Sequence, residues 1–223
     1  HRSPTEREGL LFLRVARAIT DGDGVTGARQ EHGLMLSVVI ATHESERALL
    51  PTLSALVAGA AAGLVREVIV ADAGSRDATV AIADGAGCRV LESTQARGTR
   101  LRAAAEAARA AWLLFLRPGV VLEPSWVEET RGFMEDAERR RHDDAAVFRA
   151  ETFRPGALGA MALLYAALGA RPDTRQGLLI ARTLYDTLGG HRDVKEPERD
   201  LLRRLGRRRL ARLRTGAISD YLT

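Results

Sequence analysis

The 223-residue sequence predicts an α/β domain of three layers, α/β/α, with helices on both faces of a mainly parallel mixed sheet. Three observations carry this. Short apolar runs recur at 36–41, 67–71 and 112–116, and they are nearly continuous, as strands buried on both faces require. Segments of helical period separate them. Strands alternating with helices imply βαβ units, whose right-handed crossovers place helices on both sides of the sheet.

The elements follow in order. Residues 1–34 read as an N-terminal extension, with an amphipathic helix over 10–19 and then a turn at Asp21-Gly22-Asp23. Met35 stands directly before the first strand and is a natural start, so 35–223 forms the single domain. The strand 36–41 leads into a helix over 45–61, and 67–71 is a second strand ending at Asp72. A helix is expected over 75–86 with Ser75 as its cap, then a short strand over 88–91, an Ala-rich helix over 98–110 and a fourth strand over 112–116. The second half is less regular. Helices are expected over 124–140, 156–169 and 182–188, the last closed by Gly189-Gly190, and strands over 146–152 and 177–181. A final basic helix is expected over 196–209.

Composition excludes several classes. Cys88 is the only cysteine, so an internal disulfide and a thiolate zinc site are both out. The five histidines show no metal-ligand spacing. No apolar run approaches the roughly 20 residues of a membrane span. The N-terminus has charges but no apolar core ending in small residues, so a cytoplasmic location is expected. The net charge of +4 is carried almost wholly by arginine, a bias that fits GC-rich coding. Arginines between 203 and 214, interleaved with leucines, would suit an anionic membrane surface at the inner face, while scarce aromatics argue against nucleic acid. A solvated helix face is the simpler reading of the same charges.

In an open α/β sheet, ligands bind beyond the carboxyl ends of the strands. The residues there are therefore the candidates. Leu36-Ser-Val-Val-Ile-Ala-Thr-His-Glu-Ser-Glu46 and Val68-Ile-Val-Ala-Asp-Ala-Gly-Ser-Arg-Asp-Ala-Thr79 together resemble the opening blocks of family 2 glycosyltransferases. Trp112-Leu-Leu-Phe-Leu116 resembles the strand that carries the family's metal motif, and Gln176-Gly-Leu-Leu-Ile180 with Leu188-Gly-Gly190 resembles the acceptor-side blocks of small bacterial members. The resemblance implies the GT-A fold, with 35–122 as the nucleotide-binding half and 123–223 as the acceptor half. It also implies inverting transfer of a sugar from a nucleotide-diphosphate donor, of UDP type, to an acceptor the sequence does not name.

Carried over residue by residue, the resemblance puts Thr42 and Glu44 beside the nucleoside and Asp72 on the N–H of a uracil-like base. Ser75 would begin a helix whose free N–H groups help to hold polar ligand groups. Arg97 would face the diphosphate, and Gln176 the acceptor side. Arg100 and Arg102 depart from the family, whose members often carry Gln and Asn there, and Arg100 is expected at the diphosphate only as a replacement for the metal's charge. An Asx-rich turn and helix cap is the plain alternative for 72–77.

The pattern departs from the family at the metal motif. Where relatives present D-x-D to Mg²⁺ or Mn²⁺, the strand runs into Arg117-Pro118-Gly119, which lacks the hard oxygen ligands. A divalent metal therefore loses its usual ligands. Either arginines such as Arg117 take over its charge, or the chain is an inactive nucleotide-binding or interaction module. Late in the chain, Glu198 falls at the position of the family's general base. Glu196 and Glu198 also suit the first turn of a helix on electrostatic grounds alone.

Overall fold

The computed structural model describes residues 34–142, 144–151 and 176–219. The expected helices over 10–19 and 156–169, and the Asp21–Asp23 turn, lie outside the described residues. Among the described residues, eight strands, numbered in chain order, form one mixed sheet in the order β3-β2-β1-β4-β7-β6-β8-β5. Strands β1 (Leu36–Thr42), β2 (Val65–Asp72), β3 (Arg89–Glu92) and β4 (Trp112–Leu116) run parallel to one another. Beyond β4, the strand β7 (Leu178–Ala181) pairs antiparallel with both β4 and β6 (Ala145–Glu151). The sheet closes with β8 (Leu210–Ser219), parallel to β6, and the short β5 (Val120–Leu122), antiparallel to β8.

Every residue of β1 and β4 is buried, which is why β4 reads as an unbroken apolar run and β1 as one broken only by Ser37 before its terminal Thr42. Full burial of each Val, Leu or Ile in them contributes about 1.5–3 kcal/mol. The helices α1 (Glu46–Ala61), α2 (Thr79–Gly85) and α3 (Arg97–Ala107) cross over between the parallel strands. Helix α4 (Trp126–Arg140) lies between β5 and β6, and α5 (Arg182–Thr187) and α6 (Pro197–Leu205) between β7 and β8. Chain order runs outward from β1 to β3 and then returns across β1 to β4. The switch point therefore lies between β1 and β4, and its crevice opens at their carboxyl ends.

Three expectations are corrected here. The second crossover helix begins at Thr79, not Ser75, because the side chains of Asp72, Ser75 and Asp77 are spent holding the preceding loop. The basic helix ends at Leu205: Gly206, at φ 75°, breaks it, a 3₁₀ turn spans Arg207–Arg209, and the chain then enters β8. The 203–214 arginines thus do not share one helical face. Arg203 and Arg204 instead pair with Asp200, and Arg204 also donates to the Leu188 and Gly190 carbonyls, tying α6 to the turn after α5. Strands β5 and β8 are additions to the expected set.

Candidate active site

Two groups of residues occupy the crevice. The first stitches together the loops after β1 and β2. Asp72 ends β2, directly beside Thr42 at the end of β1, and is wholly buried. Its Oδ1 accepts the hydroxyls of Thr42 and Ser75, each at 2.7 Å. Its Oδ2 accepts the backbone N–H of Gly74 at 2.8 Å and of Ser75 at 2.7 Å. Burial alone would raise the carboxyl pKa, but these bonds from Ser75, Thr42 and Gly74 outweigh it and hold the group below the usual range. Glu44, in the left-handed region at φ 46°, donates its N–H to Ser75 Oγ and accepts the Arg76 N–H. Thr42, Glu44, Asp72 and Ser75 are thus brought together as the sequence implies.

Two of their assigned roles change. Asp72 spends its acceptor capacity on four donors inside the loops and leaves no lone pair aimed outward for a base N–H. Ser75 fastens the loops rather than opening a helix. Arg100 is likewise drawn inward. Its guanidinium donates to the carbonyls of Thr42, Ala71 and Gln95, closing the carboxyl ends of β1 and β2, so it does not face a diphosphate as expected.

The second group gathers residues from three distant segments. Arg97 opens α3, Arg117 follows β4, and Glu198 stands in the first turn of α6. Glu198 Oε1 receives Arg97 Nη2 at 2.7 Å and Arg117 Nη2 at 3.3 Å. Gly98 makes this convergence possible. A Cβ there would lie 1.9 Å from the Arg192 carbonyl oxygen, so only glycine lets α3 start against the segment leading to α6. The Arg117-Pro118-Gly119 turn is fixed separately, since Gly119 N–H donates to Ala48 O and Thr52 Oγ1. Burial would raise the pKa of Glu198, but Arg97 and then Arg117 reverse the effect and hold it below the usual range.

Beside this clamp is a mostly apolar pocket, lined by Leu101, Phe115, Val147, Leu178, His191 and Leu202, with Arg117 and Glu198 on its polar side. Gly177 forms part of the wall, and Gln176 is buried next to it. His191 is fully buried. The Tyr185 hydroxyl accepts the His191 backbone N–H at 3.1 Å and lies 3.0 Å from Nδ1. The tautomer that uses every partner has Tyr185 donating to Nδ1 and the ring proton on Nε2, which has no acceptor. Burial depresses the imidazole pKa to about 4, so the ring is neutral. Neither His191 nor Tyr185 was marked by sequence, because no spacing rule links a residue after Gly189-Gly190 to a base seven positions on.

The residues at the β4 exit do not fit a divalent cation. Among the described residues, the carboxylate there, Glu198, is held by two guanidiniums, and arginine offers donors only. Among the described residues, no three His, Cys, Asp or Glu side chains gather as a metal set.

A doubly wound sheet with its switch point at β1 and β4, extended by antiparallel strands, is the GT-A architecture, and solved structures similar to it include glycosyltransferases. The chain belongs to glycosyl transferase family 2, whose profile matches residues 37–172, and it is a nucleotide-sugar-dependent transferase by class. Similar structures include glucosyl-3-phosphoglycerate synthase from Mycobacterium tuberculosis with Mn²⁺ and UDP-glucose. That likeness has 21% identity and a TM-score of 0.63, over 86% of this chain and 73% of the other. S. aureus TarS (1–349) is similar at 15% identity and a TM-score of 0.60, over 83% of this chain and 58% of the other. No curated protein sequence matches the chain.

Proposed function

We propose that the protein transfers a sugar from a UDP-type donor to an acceptor hydroxyl, with Arg97 and Arg117 meeting the donor's diphosphate and Glu198 serving as base. The observation that carries this is the convergence of both arginines on Glu198 at the switch-point crevice. The similar synthase was solved with UDP-glucose and Mn²⁺, which supports a uridine donor. There a metal accompanies the nucleotide; here the residues present supply guanidinium charge instead.

In the reaction the acceptor oxygen bonds to the anomeric carbon while the bond from that carbon to the β-phosphate oxygen breaks. The bonding pair leaves with the nucleoside diphosphate, and the acceptor proton passes to Glu198. Fixed cations aimed at the leaving diphosphate stabilise the charge that grows on it. Thr42, Glu44, Asp72 and Ser75 form the bed for the nucleoside, and Gln176 lies on the acceptor side. No described helix is long and apolar enough to cross a membrane. A cytoplasmic protein that touches an anionic membrane through exposed arginines such as Arg207–Arg209 is the matching placement.

The test is release of nucleoside diphosphate from a panel of UDP-, GDP- and dTDP-sugars in EDTA, with cell extract as acceptor source. Turnover that survives EDTA and falls at least 100-fold in Arg97→Ala and Arg117→Ala is expected. A second reading, a nucleotide-binding module without turnover, is favoured by one fact: a carboxylate clamped by two arginines is a weak proton acceptor. Binding with no release across the panel would establish that reading instead.

A further inference from the structure

The clamp that weakens Glu198 as a base also blocks the arginines from any other anion. The two guanidiniums carry more donors than Glu198 uses. Both Nη2 atoms meet the single oxygen Oε1. Arg97 Nε and Arg117 Nε are buried and have no acceptor at all. Two guanidiniums that share one carboxylate oxygen are thus poorly matched by Glu198, whereas a phosphate group offers three oxygens in a shape that guanidinium forks fit. The arginine side chains are each 35% exposed, so a ligand can reach them, while the Glu198 side chain is 11% exposed.

We propose that Glu198 is a built-in stand-in anion: it fills a phosphate seat formed by Arg97 and Arg117 in the free protein, and an incoming phosphate group displaces it. This rests on the reading of the crevice as a donor site and adds a sequence of events to it. The base is held in an ion pair until the diphosphate takes both arginines. Only then is the carboxylate free of its clamp and able to accept a proton. Arriving phosphate and released base are one event, so a protein without donor has no free base. The apolar pocket beside Glu198, with the unpartnered Nε2–H of His191 in its wall, is where the displaced carboxylate has room to turn.

A seat open for only a fraction of the time lowers apparent affinity by that fraction. Removing the occupant should therefore tighten phosphate binding. The experiment is calorimetric titration of inorganic pyrophosphate, orthophosphate and UDP into wild type, Glu198→Gln and Glu196→Gln. Glu196→Gln makes the same charge change two residues away, at an exposed residue paired with Arg199. Pyrophosphate should bind Glu198→Gln about ten-fold or more tighter than wild type, and Glu196→Gln within about two-fold of it.

Equal or weaker binding to Glu198→Gln, an equal gain in Glu196→Gln, or no pyrophosphate bound to any variant overturns the proposal. Should Glu198→Gln fail to fold, Glu198→Asp draws the carboxylate back by one methylene and must shift affinity the same way. The other ligands separate the sources of the phosphate. A larger gain for UDP and pyrophosphate than for orthophosphate assigns the seat to the donor, and equal gains assign it to a single phosphate on the acceptor. Tighter pyrophosphate without any UDP binding keeps the displacement and removes the donor reading. UDP binding with no gain in Glu198→Gln does the reverse.

Discussion

Replacing Gly98 by alanine should loosen the protein and open the arginine clamp together. The new Cβ would sit 1.9 Å from the Arg192 carbonyl oxygen and 2.6 Å from its carbon, where ordinary contact starts at 3.4 Å. Backbone is on both sides, so no rotamer change relieves the clash. The start of α3 and the 192–193 segment must separate by about 1.5 Å, the shortfall between those two distances. Overpacking of this kind costs about 1–3 kcal/mol. For a chain of this size that lowers Tm by roughly 2–12 °C.

Arg97 adjoins Gly98 while Glu198 follows the displaced segment, so the 2.7 Å ion pair stretches with it. Gly132 is the matched control: it lies inside α4, an added Cβ meets nothing within 4 Å, and its φ is ordinary. Gly132→Ala should stabilise by about 0.5–1 kcal/mol through helix propensity and a less flexible unfolded chain. Thermal and urea denaturation of both variants provide the assay. Equal Tm values for Gly98→Ala and wild type would refute the close approach.

The other predictions concern charge. Asp72→Asn places an amide donor among four donors, and chemical denaturation should show a loss of about 2–3 kcal/mol at pH 7. Because the Asp72 pKa is depressed in the fold, that deficit should shrink only as the pH falls below about 4 through the folded pKa. Glu198→Gln should be less stable than wild type by about 2–3 kcal/mol at pH 7, since it leaves two arginines without their counter-ion. The depressed pKa of Glu198 puts the full difference above pH 4.5, and it should close as acid protonates the wild-type carboxylate. His191 acts in the same direction but at higher pH: its folded pKa of about 4 lies below the unfolded value near 6.5, so the unfolded state binds the proton first. Stability should fall by about 3 kcal/mol between pH 6.5 and 4, and His191→Phe should flatten that slope.

The first half of the fold was legible because β1 and β4 are buried on both faces and α1 buries Leu49, Leu53 and Leu56 at helical spacing; Trp112–Leu116 was placed to the residue. The C-terminal strand was hidden because Leu201, Leu202, Leu205, Leu210 and Leu213 among arginines imitate a helix, and only the positive φ of Gly206 shows the break. Strand β5 has three residues, too few for any period to register. The sequence brings Thr42, Glu44, Asp72 and Ser75 together but not the direction of their side chains: it lists Asp72 as an acceptor without showing that four donors already use it. The pairing of Arg117 with Glu198 spans 81 positions and depends on Gly98, whose signal is a lone glycine in the first turn of an Ala-rich helix. That Arg97 comes to Glu198 depends on the packing of α3 on the 192–193 segment, which no sequence pattern reports.

The most direct measurement of the central claim is calorimetric titration of UDP into wild type and the Arg97→Ala/Arg117→Ala double variant, each with Mn²⁺ and with EDTA. Wild type should bind UDP with an affinity that Mn²⁺ changes by less than about three-fold, roughly 0.6 kcal/mol, and the double variant should lose binding at least 100-fold. UDP binding that needs Mn²⁺, or that survives loss of both arginines, would contradict a guanidinium-held diphosphate.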